Sequence, residues 1–96
     1  MKILVEFIGF PTLHDLFPAG THPCIFPGNS LSGLVEDLIL RYGETMKESL
    51  IDQETKKLDQ TIQVRLNCNY LNREEMDLQE LKEGDSITFL KLLAGG

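Results

Sequence analysis

Residues 29–43 read NSLSGLVEDLILRYG, and this stretch decides the fold of the chain. Its apolar side chains recur at the spacing of a helix, and its charged and hydroxyl side chains lie on the opposite side. Asn29 or Ser30 can accept hydrogen bonds from the free amides of the first turn, and Gly43 can adopt the left-handed conformation just past the end. The pattern predicts an amphipathic helix over Leu31–Tyr42 that packs on a sheet.

Segments on both sides of this helix alternate between apolar and polar residues, which is typical of half-buried strands. The strands predicted from the alternation cover residues 3–8, 22–26, 62–70 and 86–90. Pro23 has no amide to donate, so it belongs on an edge strand or at the end of a strand. Between the strands, residues 44–60 predict a short helical turn and a loop, and residues 72–83 predict a short strand or a helical turn.

The predicted elements follow the order strand, strand, helix, connection, strand, short element, strand. The helix can cross one face of a sheet whose first and last strands lie side by side. We therefore predict the α+β class, as a β-grasp (ubiquitin-like) roll with a mixed sheet of about four to five strands packed against one main helix. A chain of 96 residues has room for one core, so we predict a single domain over 1–96 with a flexible Gly-Gly tail at 92–96.

The charge of the chain restricts the partners that it could bind. Fifteen acidic and nine basic residues give a formal charge of −6, which disfavours contact with nucleic-acid phosphates and suits a basic partner. Glu6 interrupts the first apolar run before it reaches the length of a signal peptide. No apolar stretch reaches the roughly 18 residues that indicate a membrane span. We therefore expect a cytoplasmic protein that binds neither nucleic acid nor a membrane.

The last five residues are Leu92-Leu93-Ala94-Gly95-Gly96. The two glycines have no side chain to pack and have unusually free backbone angles. Such a tail can enter a narrow channel in another protein as an extended ribbon and present the Gly96 carboxylate there, with Gly95 as its slender approach. The simpler interpretation is a loose terminus that happens to end in two glycines, so the tail needs support from the rest of the sequence.

Several further segments have counterparts in one protein family. They are Phe10-Pro11-Thr12-Leu13 after the first strand, the capped helix, Val64-Arg65-Leu66-Asn67, Glu83-Gly84-Asp85 before Ile87-Thr88-Phe89, and Leu93-Ala94-Gly95-Gly96. In these segments the chain resembles the MoaD/ThiS group of ubiquitin-like sulfur carriers over almost its whole length. Within the group it is more similar to the small subunit of molybdopterin synthase than to the shorter thiamine carrier.

The resemblance implies a function for the tail. An ATP-dependent activating enzyme of the MoeB/ThiF type would adenylate Gly96, and a persulfide would then convert it to a thiocarboxylate that delivers sulfur to a cofactor precursor. The second partner implied is the large subunit of molybdopterin synthase, in the molybdopterin (Mo/W cofactor) pathway. The chain would bind no cofactor, because the activating enzyme uses the ATP. It would act as a cosubstrate or as the small subunit of a sulfurtransferase, and would not be an enzyme by itself.

Three other functions stay open. A ubiquitin-like protein modifier would use the same activated carboxylate to form an isopeptide bond with a lysine of a target protein. A thiamine-type sulfur carrier would use the same chemistry in another pathway. A non-covalent ubiquitin-fold interaction module would carry an inert tail and would ignore ATP.

Apolar residues that face away from the helix are candidates for a partner surface. Adjacent first and last strands would place Leu4, Ile8 and Leu90 together on the outer face of the sheet. Leu92 and Leu93 continue from there into the tail. A cluster of this kind indicates a docking site, unless a loop covers it. We predict that these five residues contact the partner enzymes.

The cysteines and histidines form no recognisable site. Cys24 and Cys68 are too few for a four-thiolate metal site, and their simplest interpretation is as small buried hydrophobic residues in a reducing compartment. His14 and His22 are the only imidazoles, and a third ligand at a recognisable spacing is missing. We predict no metal site.

Overall fold

The structure, a computed structural model, describes residues 1–92 of the chain. The strands are β1 (Lys2–Ile8), β2 (His22–Ile25), β3 (Ile62–Leu66), β4 (Asn69–Tyr70) and β5 (Ser86–Lys91). The helices are α1 (Leu31–Tyr42), α2 (Glu44–Leu50) and α3 (Arg73–Met76), and a short 3-10 turn spans Pro11–Leu13. Of the predicted tail at 92–96, only Leu92 falls within the described residues. The predicted site residues Leu93, Gly95 and Gly96 lie outside them.

The five strands form one mixed sheet in the order β2-β1-β5-β3-β4. β1 and β5 run parallel, and the other neighbouring strands are antiparallel. The predicted adjacency of the first and last strands is therefore confirmed. β2, which contains Pro23, lies at an edge of the sheet, which is one of the two positions predicted for this proline. The arrangement is the α+β roll of the β-grasp type that the order of elements predicts.

α1 begins and ends at the predicted residues, and Ser30 is its N-cap. The Ser30 hydroxyl oxygen accepts a hydrogen bond from the Gly33 amide at 3.1 Å. Asn29, the alternative cap, accepts a bond from the Leu81 amide at 2.8 Å through its backbone carbonyl. The chain that leads into α1 is therefore tied to the segment that leads into β5.

Gly43 joins α1 to α2 in a conformation that differs from the predicted left-handed one. Its φ of 75° and ψ of −150° lie in a region that only glycine enters readily. The Gly43 amide donates to the Ile39 carbonyl, and the Gly43 carbonyl accepts from the Lys47 amide, so one residue ends α1 and begins α2. α2 is longer than the predicted turn because Met46 and Leu50 are both fully buried along one side of it.

Residues 62–70, predicted as a single strand, form a hairpin instead. Leu66 pairs with Asn69, and Asn67 turns the chain with a φ of 56°, a left-handed conformation that asparagine tolerates better than most residues. The Asn67 side chain accepts from the Ser86 amide at 3.0 Å, so the turn is tied to β5. The single strand was wrong because the alternation of apolar residues continues through the turn and conceals it.

The core fills the space between one face of the sheet and the helices. Ile3, Val5 and Phe7 face it from β1, on the opposite side from Leu4 and Ile8. The Phe7 ring stacks on Phe89 of β5 with 5.1 Å between the ring centroids. Fully buried side chains of the other elements include Leu34 and Leu38 of α1, Met46 and Leu50 of α2, and Ile62 and Val64 of β3. None of the helices within residues 1–92 is long and apolar enough to cross a membrane.

Candidate functional site

The predicted tail begins at the end of β5, the central strand of the sheet. β5 pairs with β1 on one side and with β3 on the other, and its last residue Lys91 lies opposite Ile62. The amide of Leu92, the last described residue, donates to the Thr61 carbonyl at 2.7 Å. We call Lys91 and Leu92 the tail root, because they are the last part of the fold before the predicted tail.

Gly9 approaches the tail root from the side of β1. A Cβ atom added at Gly9 would lie 2.9 Å from the Lys91 carbonyl oxygen, which is closer than such atoms approach without displacement. The φ of Gly9 is +84°, a conformation that side chains rarely adopt. Glycine therefore supplies both the space and the backbone conformation that let the end of β1 run against the tail root.

A turn between α2 and β3 holds the tail root from the other side. Oδ1 of Asp59 accepts from the Thr61 amide at 2.8 Å and from the Thr61 hydroxyl at 2.6 Å. Nζ of Lys91 lies 3.9 Å from the same oxygen. The bonds from Thr61 are the main cause that lowers the pKa of the Asp59 carboxyl, and burial opposes them. Smaller lowering effects on this pKa come from the charges of Lys91 and Arg73. Asp59 is therefore a carboxylate at neutral pH, and it orients the residue that binds Leu92.

Arg73, the first residue of α3, fastens this turn. Its Nη1 donates to the Leu58 carbonyl at 3.1 Å, and its Nη2 donates to the carbonyls of Asp59 at 2.6 Å and Ile62 at 2.9 Å. A capping box at Asn72 fixes the start of the helix that carries the guanidinium. β4 pairs only with the end of β3, so within the described residues the start of β3 has no neighbouring strand on that side. Arg73 binds the Ile62 carbonyl there.

The register of the strands divides the predicted partner surface. Leu4, Ile8 and Leu90 lie on the sheet face that points away from the core, as predicted. Ile8 is 41% exposed and lies directly opposite the half-buried Leu90. Leu4 is opposite Ser86 and lies about 13 Å along β1 from Ile8. Ile8 and Leu90 therefore form an apolar pair that does not include Leu4. Leu92, which is 45% exposed, lies two residues beyond the pair.

A polar row crosses the sheet between Leu4 and the apolar pair. Nη2 of Arg65 donates to the Thr88 hydroxyl oxygen at 3.5 Å, and the Thr88 hydroxyl donates to Oε1 of Glu6 at 3.3 Å. The three side chains stand at opposed positions of β3, β5 and β1. This row was not predicted, because it depends on the register of three strands. Opposite charges at outward positions of two predicted strands are the one signal for it in the sequence.

The two cysteines differ in exposure. Cys24 is buried in β2, and burial is the main cause that raises the pKa of its thiol. Cys68 is exposed in the turn between β3 and β4, so the prediction that both cysteines are buried was wrong for Cys68. The cause is the hairpin, since the chain turns at Asn67 before Cys68 can reach the core.

The two histidines do not come together as ligands. Nε2 of His22 lies 2.6 Å from the Pro18 carbonyl oxygen. The nitrogen is the donor of this hydrogen bond, because a carbonyl oxygen can only accept. His14 lines an open groove of about 400 Å³ beside the end of β1, together with Phe10 and Phe17. Among residues 1–92, no group of three or more potential side-chain ligands is placed to hold a metal ion.

Solved structures share this fold. The crystal structure of SAMP1 from Haloferax volcanii matches with a TM-score of 0.72 over 100% of both chains, at 13% identity. Mycobacterium tuberculosis CysO, an antigen, matches with a TM-score of 0.69 over 95% of this chain and 99% of that chain, at 17% identity. A chain of the Amycolatopsis orientalis BexX/CysO complex matches with a TM-score of 0.66 over 98% of this chain and 99% of that chain, at 22% identity. At these identities the likeness shows the fold alone.

Sequence comparison establishes the family. No curated protein sequence matches the chain significantly. The ThiS family matches residues 20–96, which contain β2 to β5, all three helices, the tail root and the final two glycines. The match confirms the resemblance that the sequence motifs indicate. Because it spans well over half of the residues, this chain belongs to the ThiS family.

Proposed function

We propose that this chain is a sulfur carrier whose C-terminal Gly96 is adenylated and converted to a thiocarboxylate, and that the sulfur serves molybdopterin (Mo/W cofactor) biosynthesis. The observation that carries the proposal is the family match, which extends from β2 through the tail root to Gly95 and Gly96. The chain is then a cosubstrate, and the catalytic groups belong to its partners. These are an activating enzyme of the MoeB/ThiF type, which uses ATP, and the large subunit of molybdopterin synthase.

The proposed chemistry turns a poor electrophile into a good one. The Gly96 carboxylate attacks the α-phosphate of ATP, and an acyl adenylate forms as pyrophosphate leaves. A persulfide of a partner then attacks the carbonyl carbon, AMP leaves, and an acyl disulfide remains. A thiol cleaves the S–S bond by exchange, which leaves the thiocarboxylate on Gly96 and a disulfide between the thiol and the sulfur donor. The terminal sulfur is then a nucleophile for the cofactor precursor.

The geometry of the tail root supports this proposal. Gly9 and Thr61 flank it on the two sides of the central strand. Four residues follow Leu92 in the sequence, and a fully extended chain of four residues spans at most about 14 Å. The reaction centre of a partner therefore has to come within that distance of Leu92, and the partner docks on the surface around the tail root.

The apolar pair of Ile8 and Leu90 is the proposed centre of this docking surface. It lies beside the tail root on the open face of the sheet, and exposed apolar side chains that adjoin one another mark interaction sites. Leu92 extends the surface toward the tail, and Leu93, which lies outside the described residues, is proposed to contact the same partner. Leu4 belongs to it only for a partner that also covers the polar row.

Deletion of Gly96 tests the proposed function. Parent and truncated chains are incubated with ATP, a MoeB/ThiF-type activating enzyme and a sulfur donor, and intact mass reports the exchange of one oxygen for sulfur. The parent should gain sulfur only when ATP is present, and the truncated chain should not gain it. Equal unfolding midpoints control for the fold, since a terminal residue contributes little packing. Thiolation of the truncated chain would contradict the role of Gly96.

The products of the same reaction also distinguish a sulfur carrier from a protein modifier and from a non-covalent module. Covalent conjugates to lysine would identify a protein modifier, and a parent that stays unchanged with every activating enzyme would identify a non-covalent module. For the pathway, the thiolated chain is mixed with the large subunit of molybdopterin synthase and a precursor of molybdopterin. Loss of the thiocarboxylate sulfur to that precursor is the expected result, and its retention would point to another product, such as the thiamine precursor.

A further inference from the structure

A continuous chain of hydrogen bonds links α3 to the tail root. Arg73 donates to the carbonyl of Asp59 in the turn before β3 and to the carbonyl of Ile62, the first residue of β3. The Asp59 carboxylate accepts from both the amide and the hydroxyl of Thr61. The Thr61 carbonyl then accepts from the Leu92 amide. The bonds along this path are 2.6 to 2.9 Å long.

We propose that Asp59, Thr61 and Arg73 are positioning residues that set the direction in which the tail leaves the fold. They act through Leu92 and not on Gly96 itself. The inference rests on the proposed function, because it concerns how the tail reaches the active site of the activating enzyme. It assigns a role to a turn that neither the docking surface nor the sulfur chemistry includes.

The direction of Leu92 depends on this turn because the other contacts of the tail root act on Lys91. Gly9 approaches the Lys91 carbonyl without a side chain that could hold it. The ammonium of Lys91 lies 3.9 Å from Asp59, and both side chains are about one-third exposed, so water screens the pair. The amide of Leu92 is the last backbone group of the described residues that is bonded to the body of the fold.

A loosened turn lengthens the part of the chain that has to be ordered when the tail enters a partner. Each freed residue loses conformational entropy when the tail takes up its reactive geometry. This loss falls on the step in which the tail takes up its reactive geometry, and it leaves the docking of Ile8 and Leu90 unchanged. If Leu92 alone is freed, kcat should fall about fivefold to tenfold while KM stays at its parental value.

Three substitutions separate positioning from general damage. Asp59→Ala removes the acceptor of both Thr61 bonds, whereas Asp59→Asn keeps an oxygen acceptor and removes the charge. Asp52→Ala is the matched control. The Asp52 carboxylate accepts from the Glu54 amide at 2.8 Å in the neighbouring loop, and within the described residues it is bonded to neither residue of the tail root.

Two measurements are made on each chain. Intact mass follows thiocarboxylate formation over a range of carrier concentrations with ATP, the activating enzyme and a sulfur donor, which gives kcat and KM. Hydrogen exchange of the Leu92 amide, measured on the carrier alone, reports whether Thr61 still holds it. Asp59→Ala should exchange faster at Leu92 and lose fivefold to tenfold in kcat. Asp59→Asn should recover most of the turnover, and Asp52→Ala should match the parent.

Several results would overturn the inference. They are an unchanged Leu92 exchange in Asp59→Ala, a parental kcat despite faster exchange, or a raised KM at parental kcat, which indicates docking. A parent that is never thiolated overturns the proposed function itself, and this failure is recognised without any variant. If Asp59→Ala unfolds, Arg73→Lys replaces it, because an ammonium cannot reproduce the fork that binds the carbonyls. The same two changes, in exchange and in kcat, are then expected.

Discussion

At Gly9 a positive φ coincides with the close approach of the Lys91 carbonyl. Gly9→Ala should lower the free energy of unfolding by about 2–4 kcal/mol, because strain of the left-handed backbone adds to overpacking against Lys91. Gly84 is the matched control, since its φ is +86° and an added Cβ would meet nothing within 4 Å. Gly84→Ala should therefore lose only about 1–2 kcal/mol.

Denaturant unfolding of the two glycine variants measures the difference. Equal losses would show that the tail root moves away from a Cβ at Gly9 without strain. A larger loss in Gly9→Ala would show that the end of β1 and the tail root are packed as one unit. The Gly9 variant would then also be expected to exchange the Leu92 amide faster than the Gly84 variant.

At the scale of elements, α1 offers a matched pair of leucines. Leu38 is fully buried against the sheet, whereas Leu40, on the opposite side of the same helix, is 84% exposed. Leu38→Ala should destabilise the protein by about 2–5 kcal/mol, because it removes buried methyl groups and leaves a cavity. Leu40→Ala should change the stability by less than about 0.5 kcal/mol. The midpoints of denaturant unfolding test both values, and an unchanged midpoint for Leu38→Ala would refute its place in the core.

The open face of the sheet carries the prediction about docking. Leu90→Asp places a charge in the apolar pair with Ile8 and should weaken binding to the activating enzyme by about tenfold or more. Leu78→Asp is the control, because Leu78 is 85% exposed and lies after α3, away from the pair. Calorimetric titration measures the affinity, and the unfolding midpoint shows whether the fold is kept. Equal affinities for both variants would show that Leu90 does not contribute to a docking surface.

The elements that the sequence predicts well are those with local signals. The helical spacing of its apolar residues and its capping residues define α1 locally, so the predicted bounds of this helix are correct. The hairpin after β3 was missed because Asn67 is a turn residue inside an unbroken alternation, and its bonds to the distant residues Asp85 and Ser86 hold the turn. α2 was underestimated for a similar reason, since Met46 is isolated in sequence but buried by the tertiary fold.

At the scale of the whole molecule, the sequence indicates a tail but gives no sign of the turn that holds the tail root. The role of Gly95 and Gly96 stays a prediction from the sequence, because both residues lie outside the described residues. Arg73, by contrast, stands in a charged run that is typical of solvated surface, and nothing local indicates that its guanidinium binds three carbonyls of another segment. The separation of Leu4 from Ile8 and Leu90 likewise depends on the register of β1 and β5, which places Leu4 opposite Ser86.

Among the strands within residues 1–92, β5 is translated last, yet β1 and β3 both pair with it. A nascent chain that ends before Ser86 leaves these two strands without their common neighbour and leaves the core without Phe89. Such a chain exposes unpaired strand edges and is open to proteolysis. Folding is therefore completed only after translation has passed the central strand and come within a few codons of the glycines. A product that ends before Ser86 therefore lacks the fold on which a partner would dock, whereas a product that lacks only Gly96 should keep that fold.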